Sequence, residues 1–167
     1  YGVRFHPRNL PAIESSNQET IVWTDTVRIS ESTVYEYPVR ILAGTEIVVG
    51  SGVSLVFRAP VIVEGTPTAP VSVRPYGEEP WGSFAIHGSG AQGSRISHLD
   101  LEGGSGGPVE GALYMGMLSI HDTHDVRVEG LRMRRNHIFD DMMHVVYSHN
   151  VMLHNLDLGT AIADAID

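Results

Sequence analysis

The chain has no cysteine, which excludes a disulfide framework and any thiolate metal site. It has no lysine either: its 11 basic residues are all arginine, against 20 acidic ones, for a net charge of −9. A balance of that sign disfavours nucleic acid and anionic lipid as partners, and it is compatible with bound divalent cations or with simple solubility. No apolar run approaches the roughly 18 residues a bilayer-spanning helix needs, so no membrane insertion is expected, and no signal peptide is visible. What the 167 residues do contain is 42% apolar side chains, enough for one continuous core, and 18 glycines with 9 prolines, which suit many tight bends.

The bends recur at a fixed distance. Residues 116–130 read GMLSIHDTHDVRVEG, and residues 141–155 repeat the pattern without a gap as DMMHVVYSHNVMLHN. Met117/Met142, Leu118/Met143, Ile120/Val145, Thr123/Ser148, His124/His149, Val126/Val151 and Val128/Leu153 match, and a third copy opens at Asp164-Ala165-Ile166-Asp167. A fixed period of this length marks a solenoid, and apolar positions alternating with period 2 make each unit a coil of short strands. Copies of one strand repeated at this interval run in the same direction, and three short strands plus three bends use about that many residues. The expected fold is therefore all-β, a parallel β-helix with coils of about 24–25 residues.

In chain order, residues 1–38 read as an N-terminal arm followed by capping strands within residues 20–41, which pair with or cover the first coil. Residues 39–167 read as the solenoid proper. Ile47, Val71 and Ile96 succeed one another at nearly the later period, whereas the step from Ile96 to Val128 is longer. The glycine-rich stretch within residues 103–111 is expected to bulge there as an inserted loop, where solenoids often carry function. A chain that begins at Tyr1 and ends inside a repeat is expected to be a processed product or a piece of a longer one. An open solenoid end would then meet the remaining coils or a second copy, head to tail, in a filament.

Chemistry is expected on the exterior ladders. Ser119, His144 and Asp167 occupy one outward position in three consecutive copies, a Ser-His-Asp composition at a strand spacing of about 4.8 Å. Stacked polar side chains along a solenoid face are the alternative, since no oxyanion hole is legible nearby. Asp140, Asp141, Asp164 and Asp167 gather carboxylates that calcium would suit, or that accept hydrogen bonds from bend amides. His124 and His149 stack, with His154 farther along, but no third or fourth metal ligand is fixed by spacing. Tyr76, Trp81 and Tyr114 are candidate platforms for sugar stacking, though Trp81 after Pro80 equally closes a bend against the core.

Several of these segments also look familiar. Ala43-Gly44-Thr45 with Ser54-Leu55-Val56-Phe57, then Glu64-Gly65-Thr66-Pro67-Thr68-Ala69-Pro70-Val71 and Pro80-Trp81-Gly82, resemble turns of secreted bacterial right-handed parallel β-helix proteins. Residues 114–121, Asp140-Asp141-Met142-Met143-His144 and Ala163-Asp164-Ala165-Ile166-Asp167 resemble the β-helix region of proteins related to the spore-coat CotH family. The resemblance covers roughly residues 40–167 and implies a right-handed winding. That family's kinase-like signatures are not apparent, so it implies no phosphoryl transfer.

Two functional classes follow. One is an extracellular or cell-envelope structural or binding module, with a polysaccharide, a second copy or the rest of a longer chain as partner. The other is a carbohydrate-active enzyme, a lyase, epimerase or hydrolase, with its site around His144. Chemistry on uronic acids usually takes a lysine or arginine base with a cation on the carboxylate. Lysine is absent, and Arg127, Arg132, Arg134 and Arg135 remain for that role or as a solvated face.

Overall fold

Short runs of Val, Ile and Thr, broken by glycine, aspartate or proline, can form only short strands. The computed structural model describes residues 19–136, 138, 141–162 and 164–167, and in it these strands stack layer upon layer. β1 (Ile21–Trp23), β2 (Thr26–Ile29) and β3 (Thr33–Tyr35) form the first layer. β4 (Val39–Leu42), β5 (Glu46–Val49) and β6 (Leu55–Phe57) form the second, and β7 (Val61–Glu64), β8 (Val71–Pro75) and β9 (Phe84–His87) the third. Each strand pairs in parallel with its counterpart in the next layer. The segment expected to cap the solenoid is thus itself a coil, paired along all three faces.

Later coils merge two faces into one long strand. β10 (Arg95–Glu102) pairs with β7 through its first half and with β8 through its second. β14 (Arg127–Arg134) and β16 (Met152–Leu158) continue both registers. At the fold between the halves, His98, Gly130 and Asn155 stand at one ladder position with φ of 47°, 68° and 53°. That is the left-handed region, which turns the strand from one face to the next. Gly65 lies beside this corner with no room for a side chain, since a Cβ would collide with the His98 carbonyl oxygen.

Two main sheets result. Sheet A holds nine strands, and sheet B runs β3, β6, β9, β13 (Gly116–His121) and β15 (Asp141–Val146). Beyond β15, Ile166 bridges Met143 and carries the winding one step further. The fold is all-β, mostly parallel and solenoidal. Among the described residues no helix is long and apolar enough to cross a membrane.

The expected uniform period holds only late in the chain. Val128 pairs with Leu153 and Leu118 with Met143, each match separated by the same interval. Earlier, Ile47 pairs with Val73 instead of Val71, Val71 pairs with Leu99, and Ile96 lies between Val63 and Val128. Coil length varies because bends differ in size while strand register is set by inward side chains, and a slip of one residue would turn every apolar side chain outward. The largest insertion, before β13, is an antiparallel hairpin of β11 (Gly107–Val109) and β12 (Ala112–Tyr114). Its tight turn, Glu110-Gly111, has φ of 46° and 83°, the conformation that matches the twist of a hairpin closed by so few residues.

The core is a column of stacked inward residues. Tyr35 stacks on Phe57 at 5.1 Å, and Phe57 lies tilted against Phe84 of the adjacent column at 4.7 Å; Leu118 and Met143 follow Phe84 in register, both fully buried. Burying each such side chain contributes about 1.5–3 kcal/mol.

Candidate functional site on the outer face of sheet B

Outward positions of sheet B form columns across the coils. One runs Val34, Val56, Ala85, Ser119, His144, and its neighbour runs His87, His121, Val146. The first column begins apolar because the hairpin covers it, with Val109, Ala112 and Tyr114 packed on Val34, Val56 and Ala85. Arg58 ties the cover down through ion pairs to Glu36 (3.2 Å) and to Glu110 at the hairpin turn (3.0 Å). Beyond Ala85 the column turns polar.

There the side chains form a chain of contacts. The Tyr114 hydroxyl lies 2.7 Å from His87 Nδ1, and the Tyr114 ring sits 5.3 Å from that of His121. His87 Nε2 is 3.5 Å from Asp122 Oδ2. His121 Nε2 is 3.0 Å from His144 Nδ1, and His144 Nε2 faces Asp167 Oδ2 at 3.8 Å. His121 is 7% exposed, and loss of hydration pushes its pKa down to about 4, with repulsion from His144 and His87 adding to the shift and Asp122 opposing it. Near neutral pH its ring therefore offers one N–H and one lone pair. Burial also raises the Tyr114 pKa, which keeps that hydroxyl a proton donor.

Three metal-capable groups converge beside this chain. Asp141, His144 and Asp167 each present one ligand atom, all within 4.8 Å of one another. The backbone sets this geometry. Val145 N–H donates to the Asp167 carbonyl (2.8 Å) and Asp167 N–H donates to that of Met143 (3.0 Å), which puts Asp167 opposite His144. Asp141 stands opposite Gly116, where a Cβ would lie 2.8 Å from the His144 nitrogen. Only glycine allows β13 to close against β15 at that point.

The remaining candidates divide clearly. Ser119 is in register with His144, but its hydroxyl lies 3.2 Å from both the Gly116 carbonyl and Ser83 Oγ and bonds to them. Its single proton is thus directed away from the imidazole, so His144 and Asp167 meet while Ser119 does not join them. Of the four aspartates, Asp141 and Asp167 converge with His144. Asp164 is exposed and outside the converging group, and Asp140 lies outside the described residues. Of the three aromatic platforms, only Tyr76 is open, at 73% exposure. Trp81 is fully buried with Nε1 donating to the Glu102 carbonyl (2.7 Å), and Tyr114 is 1% exposed beneath its own hairpin, so neither offers a free face to a sugar.

His124 and His149 stack at 4.9 Å, with His124 Nδ1 2.8 Å from Asp125 Oδ2. His154 stands apart from them, 3.8 Å from Glu129. On sheet A, Arg132 pairs with Asp100 and Asp157, Arg134 with Asp157, and Arg135 with Glu102. Most of the arginine cluster is thereby engaged in cross-coil ion pairs, with Arg127 between Arg95 and Met152 in the ladder.

His87 and His121 are the residues that sequence reasoning missed. His121 carried a signal, since it lies two positions past Ser119 and so on the same strand face. His87 did not, because the hairpin inserted between it and its partner His121 takes the pair off the period. Comparison with known protein families, with curated proteins and with solved structures finds no match, so nothing there links the chain to CotH-related proteins.

Proposed function

We propose that this chain is an extracellular or cell-envelope binding module, wound as a right-handed parallel β-helix, that takes a neutral polysaccharide along the outer face of sheet B. The observation that carries the reading is the change in one column from Val34, Val56 and Ala85 to His144, whose side chain is 16% exposed, with His87, 23% exposed, in the neighbouring column. A purely structural face under a hairpin would continue the apolar column. Instead it gives the imidazoles of His87 and His144 beside the exposed carboxylates of Asp122 and Asp167, which accept hydrogen bonds from sugar hydroxyls. The exposed carboxylates of Asp122 and Asp167 favour a neutral chain over a polyuronate.

Affinity electrophoresis against neutral glucans, xylans and mannans tests this, with a polyuronate as control. At least one neutral polymer should retard the protein, and His144→Ala should lose most of the retardation while keeping its melting temperature. No retardation by any neutral polymer, or an unchanged one in the variant, would overturn it.

A second reading has a specific support: the His121–His144 pair puts a neutral imidazole against one that borders a carboxylate, an arrangement suited to moving a proton. In this reading the module is a carbohydrate-active enzyme. It requires new reducing ends or unsaturated sugar termini to appear with time, and His144→Ala to abolish them.

A further inference from the structure

We propose that Asp141, His144 and Asp167 form a binding site for a divalent transition metal of the zinc class. The site rests on the same outer face as the binding reading, and on the placement of His144, but not on the identity of the polymer. The three donors come from two successive coils: Asp141 and His144 from β15, and Asp167 from the segment hydrogen-bonded to it. One imidazole nitrogen with two carboxylate oxygens suits zinc and its neighbours, whereas calcium requires about six to eight oxygens. Three protein ligands leave the remaining position open, the pattern of sites that act on a bound molecule.

The surroundings orient the donors. His144 Nδ1 faces His121 Nε2 at 3.0 Å. With the His144 Nδ1 proton donated to His121, the His144 lone pair lies on Nε2, the atom that faces Asp167. Metal-bound histidines are held in this way by a partner on their second nitrogen. Asp141 is 5% exposed, so packing fixes its carboxylate on the side of the site nearest the core. Around a tetrahedral zinc, ligand atoms stand about 3.5 Å apart for bonds of about 2.0–2.2 Å. The three ligand atoms now lie within 4.8 Å of one another, with His144 Nε2 and Asp167 Oδ2 at 3.8 Å and the Asp167 side chain 69% exposed, so binding requires them to draw in by about 1 Å. Elsewhere, the stacked His124 and His149 supply two imidazoles but belong to no converging group of three among the described residues.

The test uses chelator-treated full chain titrated calorimetrically with zinc chloride and with calcium chloride, in the absence of saccharide. Cobalt(II) absorption gives an independent view of the ligand set. One zinc should bind, at least tenfold tighter than calcium, and cobalt should give the intense visible bands of a low-coordinate site. His144→Ala and Asp167→Asn should each weaken zinc by tenfold or more, while His124→Ala leaves it unchanged. Asp167 is exposed, so its variant reads the site even if His144→Ala is unstable. Absence of zinc binding, equal affinity for calcium, or zinc affinity indifferent to both site variants would overturn the assignment. Because no polymer is present, failure here leaves the electrophoretic result standing. Failure of electrophoresis likewise leaves the zinc result standing.

Discussion

The outer faces of sheets A and B are built on the same ladders, yet they treat polar side chains in opposite ways. On sheet A they meet across coils as ion pairs in water: Arg40 with Glu64 at 2.9 Å, Arg74 with Glu46 at 2.5 Å, and Arg132 with Asp100 at 3.5 Å. On sheet B the hairpin covers the start of the column and lays Tyr114 against His121, which is 7% exposed, and Ser119 beyond it is fully buried. Register supplies neighbours on both faces, but only removal of water shifts a titratable group as far as His121. Stacking alone is therefore a weak sign of function, whereas stacking beneath a cover is a stronger one.

Stripping the cover should have the largest effect. Tyr114→Ala removes the buried ring that packs on Ala85 and His121, and is expected to cost about 3 kcal/mol in urea denaturation. Tyr114→Phe keeps the ring and removes only the contact with His87, for a loss of about 1 kcal/mol. A loss below that for the alanine variant would mean that the hairpin is not what sets sheet B apart.

The matching change on sheet A should be much smaller. Arg40→Met cuts the exposed pair with Glu64 and is expected to shift the urea midpoint only slightly, with no shift in high salt. A salt-independent loss as large as that of Tyr114→Ala would erase the contrast between the faces.

The smallest effect concerns acid. The Arg134 hydrogen bond holds the Asp157 pKa below its ordinary value, with the charges of Arg134 and Arg132 assisting against slight desolvation. A depressed folded-state pKa contributes stability above the unfolded carboxylate value, and that contribution is lost as pH falls through the folded one. Melting curves followed downward from pH about 6 should therefore fall off below pH about 4, and slightly less steeply in Asp157→Asn. An identical acid slope in the variant would show that this pair contributes nothing.

Much of the architecture was legible because inward residues repeat at a readable interval. The matches Leu118/Met143, Ile120/Val145 and Val128/Leu153 are ladder partners in the structure, and His144 was identifiable as an outward residue by parity. Earlier registers were not legible. Bends of different size separate Ile47 from Val73 and Val71 from Leu99, and both pairs are valines or similar aliphatics that many alternative spacings would match.

The sequence by itself determined the class of fold, the inward and outward faces of the last coils, and the meeting of His144 with Asp167, since period-2 alternation and a fixed repeat leave little freedom in register. Only the tertiary structure decided that Trp81 and Tyr114 are buried, that Ser119 turns its proton away from His144, and that His87 and His121 join that histidine. The burial of Tyr114 and its contacts with His87 and His121 depend on where an inserted hairpin lies down and how much water it excludes, and a local pattern of residues encodes neither.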